Sequence, residues 1–133
     1  MTVYYLDTSI WLDFHETRGV NGECALKLIL KLITLNEIVL YSDLHIREFK
    51  NVGYSIDEIN SIFRIMKPGN FRRVHIYDSQ IVEAKKLATL RAVPKKDALH
   101  AVLARDNSAI LISRDKHFER LIDVVEAKRP EDI

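Results

Sequence analysis

The chain has 133 residues, 47% hydrophobic and 29% charged, with 20 Lys plus Arg against 19 Asp plus Glu. These are ordinary values for a folded globular domain, and a formal charge of +1 excludes a protein that holds nucleic acid by bulk charge alone, so any such partner needs a local basic patch. The single cysteine, Cys24, excludes an internal disulfide and a zinc cluster of cysteines; it fits a reducing, cytoplasmic setting and reads as a small apolar helix residue.

The length predicts one domain over residues 1–133. The N-terminal run does not read as a signal peptide, because Asp7 interrupts it early. The longest apolar-rich window, CALKLILKLITL, carries two lysines and is too short to span a bilayer, so no membrane partner is expected.

TVYYL predicts a first strand, apolar on both faces and ending at Asp7. SIWLDFHET predicts a helix capped by Thr8 or Ser9, with Asp13 as a surface acid, and RGVNGE predicts a loop. In ECALKLILKLITLN, Ala25, Leu28, Ile29, Leu32 and Leu35 recur at helical spacing. EIVLYS is a short buried strand, and DLHIREFKNV is a helix with Asp43 near its cap. SIDEINSIFRIM opens on Ser55 with Glu58 three residues later, the spacing of a capping box, and Pro68-Gly69 ends it. RRVHIY predicts a strand, DSQIVEAKKLATLRA a long helix started by Asp78 or Ser79 and broken by Pro94, and KKDALHAVLARDN a further helix. SAILIS, RDKHFERLI and DVVEA predict a strand, a short helix and a last strand. This alternation argues for an α/β fold, a parallel sheet with helices on both faces.

Ligands of open parallel sheets bind outside the carboxyl ends of the strands. Asp7 ends the first strand, Asp115 follows AILISR, Glu48 lies in the helix after IVLYS, and Asp97 lies near the start of KKDALHAVLA. Each acid taken singly has a plain alternative, as a helix cap, a helix-start acid or a surface acid. Together, converging carboxylates repel one another unless a divalent cation neutralises them, and oxygen-only ligation suits Mg²⁺ or Mn²⁺. No GxSxG, P-loop or HExxH motif competes.

Four stretches, YLDTSIW, SDLHIREF, KKDALHAVLA and LISRDKHFERL, resemble the PIN-domain ribonucleases, and most closely the VapC-type toxins of toxin–antitoxin pairs. The resemblance spans nearly the whole chain. It implies a three-layer α/β/α sandwich with a central parallel sheet and a Mg²⁺- or Mn²⁺-dependent endoribonuclease. Asp7, Glu48, Asp97 and Asp115 match the family's acidic quartet, with Asp7, Asp97 and Asp115 as metal ligands. Thr8, Ser9 and Ser113 match supporting positions. One departure is His117, at a position where many members carry another aspartate before the aromatic Phe118; it bears on a second metal site and leaves the quartet intact. Arg47, Lys95, Lys96, Arg114 and Lys116 flank the acids and are the candidate RNA contacts, while nothing places Arg72 and Arg73 at the same edge. His45, His100 and His117 are not required as catalytic bases. The apolar stripes of CALKLILKLITL and SIDEINSIFRIM read as core, or alternatively as a homodimer face or a groove for an antitoxin helix. Rival functions are RNA maturation or quality control, and a non-catalytic RNA-binding or scaffold module. A phosphatase forming an aspartyl-phosphate is disfavoured, because Ser9 stands where that chemistry wants a second aspartate.

Overall fold

A computed structural model describes residues 2–133. Among them, five parallel strands form one sheet in the order β3-β2-β1-β4-β5. The strands are β1 (Val3–Leu6), β2 (Ile38–Tyr41), β3 (Phe71–Arg73), β4 (Ile110–Ile112) and β5 (Ala127–Lys128). The helices are α1 (Thr8–His15), α2 (Gly19–Thr34), α3 (Asp43–Asn51), α4 (Ile56–Phe63), α5 (Asp78–Arg91) and α6 (Lys95–Asp106).

The central strands are apolar at successive positions because both faces are covered. On one face Tyr5, Ile38, Leu40 and Leu111 meet α5 and α6, where Ala84, Ala88, Ala98 and Ala101 let the helices approach closely. On the other face Tyr4, Leu6, Val39 and Ile112 meet α1 to α4 through Trp11, Leu28, Ile29, Phe49 and Phe63. This is the expected three-layer arrangement. α6 is buried from Asp97 to Ala104, which explains its weak amphipathic pattern.

The strand order reverses at β1, the place where open sheets of this kind form their clefts. The register pairs Leu6 with Ile112, so the next residues, Asp7 and Ser113, emerge side by side from the carboxyl edge. The backbone N–H of Asp7 donates to the Ile112 carbonyl at 2.9 Å and fixes that alignment.

Several boundaries differ from expectation for identifiable reasons. The stretch read as a loop, RGVNGE, already belongs to α2 from Gly19 onward. Gly22 permits this early start: a Cβ there would meet the Asp13 carbonyl oxygen at 2.8 Å. Asp13 is buried, not a surface acid, and pairs with Arg18 at 3.3 Å. β3 is Phe71–Arg73 only, and Arg73 at its carboxyl end pairs with Asp43 at 2.5 Å, so Arg73 does lie at the carboxyl edge of the sheet. RDKHFERLI forms a 3-10 helix at Lys116–Leu121, and the last strand is Ala127–Lys128 rather than DVVEA. Leu35 caps α2 and is exposed, while Ala25, Leu28, Ile29 and Leu32 join the core, as do Ile59, Ile62 and Phe63 of α4. The Ser55–Glu58 capping box is formed in both directions, at 3.2 and 3.0 Å. α5 ends at Arg91, Ala92 takes a left-handed conformation, and Pro94 caps α6. No helix of the described residues is long and apolar enough to cross a membrane.

Candidate active site

Asp7, Thr8, Ser9, Glu48, Lys96, Asp97 and Asp115 line one cleft of about 200 Å³ at the carboxyl edge of the sheet. The acids arrive from β1, α3, α6 and the turn after β4, and each is held differently.

Asp7 is the N-cap residue of α1, yet its carboxylate makes no cap bond. Its Oδ2 accepts instead from the Ser9 hydroxyl at 3.0 Å and the Ser113 hydroxyl at 2.9 Å. The Ser113 oxygen in turn accepts the Asp115 backbone N–H at 3.0 Å, which ties the turn after β4 to the end of β1.

Glu48 Oε1 accepts from the Thr8 hydroxyl at 3.0 Å and from His100 Nε2. Burial alone would raise its pKa; the bonds from His100 and Thr8 outweigh it and hold the carboxyl below its ordinary value. His100, fully buried, lies three residues after Asp97 on the inner side of α6. Its Nδ1 is 2.6 Å from the Tyr5 hydroxyl oxygen, and its Nε2 is 3.7 Å from Asp7 Oδ1.

Behind Tyr5 lies Ser42, whose backbone N–H donates to His45 Nδ1 at 3.0 Å, while His45 Nε2 donates to the Leu6 carbonyl at 2.6 Å. Burial, reinforced by His100, pushes the pKa of His45 down to about 3. His45 is therefore a neutral brace between the start of α3 and the end of β1.

Asp97, nearly fully buried, has its pKa raised, first by burial and then by the neighbouring Asp115 charge; the bond to His117 offsets this only in part. Asp115 caps the 3-10 helix, accepting the His117 backbone N–H at 2.9 Å. His117 Nδ1 lies 2.8 Å from Asp97 Oδ2 and 3.0 Å from Asp115 Oδ1.

A common pattern results. One oxygen of each acid is anchored, and among the described residues no hydrogen bond reaches Asp7 Oδ1, Glu48 Oε2, Asp97 Oδ1 or Asp115 Oδ2. Four carboxylates, each with a free oxygen at one cleft, form a donor set suited to a divalent cation. Asp97, Asp115 and His117 have ligating atoms within 4.8 Å of one another.

The basic candidates divide. Lys96 Nζ is 3.9 Å from Glu48 Oε2. Arg47, Lys95 and Lys96 line an adjoining groove of about 490 Å³, whose apolar lining includes Leu44, Ile81 and Leu99. Lys116 opens the 3-10 helix beside Asp115. Arg114 is committed elsewhere: Nη1 pairs with Glu131 at 2.9 Å, and Nε and Nη2 are buried. From the sequence, His100 and His117 are not required as catalytic bases, yet both contact the acids of the cleft. The i,i+3 spacing of Asp97 and His100 was a usable signal for the first; only the tertiary fold brings Glu48 and Tyr5 to it.

No curated protein matches the chain. Among solved structures, the fold resembles VapBC2 from Rickettsia felis, solved bound to a DNA fragment from the promoter, with a TM-score of 0.70 and 17% identity over 96% of this chain and 98% of that one. It also resembles a toxin–antitoxin complex from Klebsiella pneumoniae (TM-score 0.66, 18% identity, 96% and 97% covered) and VapBC-1 from nontypeable Haemophilus influenzae (0.66, 16%, 98% and 99%). At these identities the likeness is one of fold. The PIN domain family model matches residues 4–123, from within β1 through the 3-10 helix that follows β4, a span that includes all four carboxylates. The chain belongs to the PIN domain family.

Proposed function

We propose that this chain is a divalent-metal-dependent endoribonuclease and the toxin of a toxin–antitoxin pair. The observation that carries the activity is the set of four carboxylates at one cleft, each with one oxygen anchored and one free. Asp7, Asp97 and Asp115 would hold Mg²⁺ or Mn²⁺. When bound, such an ion supplies Lewis-acid stabilisation of phosphate charge and a more acidic water.

The protein's own part is positioning. Ser9 and Ser113 fix Asp7, and Thr8 and His100 fix Glu48. The lowered pKa of Glu48 keeps it ionised at neutral pH, so its free Oε2 can accept a proton from an attacking water. Arg47, Lys95 and Lys96, which line the adjoining groove, would receive the phosphates flanking the scissile bond. The toxin assignment is supported by the fold shared with proteins solved in toxin–antitoxin complexes. A homodimer belongs to the proposal, supported by the exposed Val82 and Leu90 on α5.

The test is cleavage of single-stranded RNA with Mg²⁺, with Mn²⁺ and with chelator, for wild type and Asp7→Asn. Cleavage is expected to require the ion and to fall by about 10³-fold or more in the variant, with the circular dichroism spectrum unchanged. Full cleavage by Asp7→Asn, or by wild type in chelator, overturns the assignment.

A further inference from the structure

The cleft is not built from oxygen alone. His117 brings Nδ1 to 2.8 Å from Asp97 Oδ2 and 3.0 Å from Asp115 Oδ1. Two donors bound cis to one ion at about 2.1 Å stand about 3 Å apart, the separation found here. The backbone reinforces the placement, because Asp115 Oδ1 also accepts the His117 N–H at 2.9 Å. The His117 side chain is 44% exposed, so the ring is not locked by packing and is free to exchange a hydrogen bond for a coordinate bond.

We propose that His117 is a nitrogen ligand of the ion held by Asp97 and Asp115, and that it makes the site select first-row transition-metal ions over Mg²⁺. The inference rests on reading the cleft as a divalent-metal site. Oxygen donors suit Mg²⁺, which gains little from nitrogen; imidazole favours the transition ions. Without an ion, Nδ1 lies within hydrogen-bond distance of both carboxylate oxygens.

The experiment uses the full chain and three probes, Mg²⁺, Mn²⁺ and Co²⁺. Calorimetry gives the ratio of Co²⁺ to Mg²⁺ affinity, and pulsed electron paramagnetic resonance of bound Mn²⁺ detects directly coordinated nitrogen. The wild type is expected to show a coordinated imidazole signal that disappears in both His117→Asp and His117→Gln. The Co²⁺ to Mg²⁺ ratio is expected to fall by about tenfold or more in His117→Asp, since even loss of an outer partner of a ligand costs that much. The signal from wild type alone decides the matter should a variant fail to fold. Bound Mn²⁺ without nitrogen coupling, or a signal that persists in both variants, overturns the role of His117 and leaves the metal-nuclease reading standing. Failure of all three ions to bind overturns both.

Discussion

The two sides of the acidic cleft are built on different principles. On the inner side, Asp7 and Glu48 rest on hydroxyls and on a buried chain of His100, Tyr5, Ser42 and His45 that ends at the Leu6 carbonyl. On the outer side, Asp97 and Asp115 face each other with only His117 between them, and Asp115 is 37% exposed. The inner side is preorganised before any ligand arrives. On the outer side, burial and then the neighbouring Asp115 charge raise the pKa of Asp97, and His117 offsets this only in part. Neutralising the outer side is therefore expected to stabilise the protein, and cutting the inner one to destabilise it.

Asp97→Asn gives the largest effect and tests the outer side. Ionised Asp97 costs folding energy at neutral pH, because its folded pKa lies above the ordinary value. The variant is expected to lose about 10³-fold in cleavage yet gain about 1 kcal/mol in urea unfolding measured in chelator. A variant that is both inactive and less stable would show that Asp97 is structurally satisfied.

His100→Ala tests the inner side. It strips Glu48 and Tyr5 of a buried partner and should cost about 3 kcal/mol. His100→Gln, which keeps a donor and an acceptor, should recover part of that loss. Cleavage should fall in both, because Glu48 loses the bond that helps hold Oε1 in place.

His45→Gln sharpens the same comparison through pH. With a folded value of about 3 against an ordinary 6.5, the unfolded chain binds the proton first as pH falls. The contribution of His45 to stability is thus complete above about pH 6.5 and is lost progressively below it, by about 2 kcal/mol at pH 5. The amide of His45→Gln can replace both hydrogen bonds without titrating. Its stability should fall less steeply than that of the wild type between pH 7 and pH 5; parallel curves would remove His45 from the account.

How much of this was legible in the sequence follows from where each feature gets its constraint. The strands and helices could be read because burial on both faces leaves continuous apolar runs, as in IVLY, and caps leave local signs, as at Ser55 and Glu58. The four acids could be proposed because strand ends converge in a parallel sheet. The histidines could not be ranked, because His100 gains its role from Tyr5, 95 positions away, and from Glu48, 52 positions away. Arg114 looked like a phosphate contact because it adjoins Asp115, but successive positions along an extended segment point to opposite sides. It meets Glu131 of the C-terminal segment instead. Arg73 reaches the carboxyl edge because β3 stops two residues into RRVHIY, a run that reads as strand to Tyr77.

The smallest effect distinguishes two basic residues that the sequence treats alike. Lys96 is 58% exposed and within 3.9 Å of Glu48 Oε2, so its charge faces the cleft and its ion pair lies largely in solvent. Such a pair adds little to folding, and Lys96→Met is expected to leave the unfolding midpoint unchanged. Its effect should appear in RNA binding, measured with Asp7→Asn to prevent cleavage. Loss of one phosphate contact lowers the slope of log affinity against log salt by about 0.7 for a single strand. Arg114→Met should do the reverse, lowering stability through the partner it strips from Glu131 while leaving the salt slope untouched. If both variants change the slope equally, RNA also runs over the β4–β5 side of the sheet, and the cleft is entered from two directions rather than from the Arg47–Lys95–Lys96 groove alone.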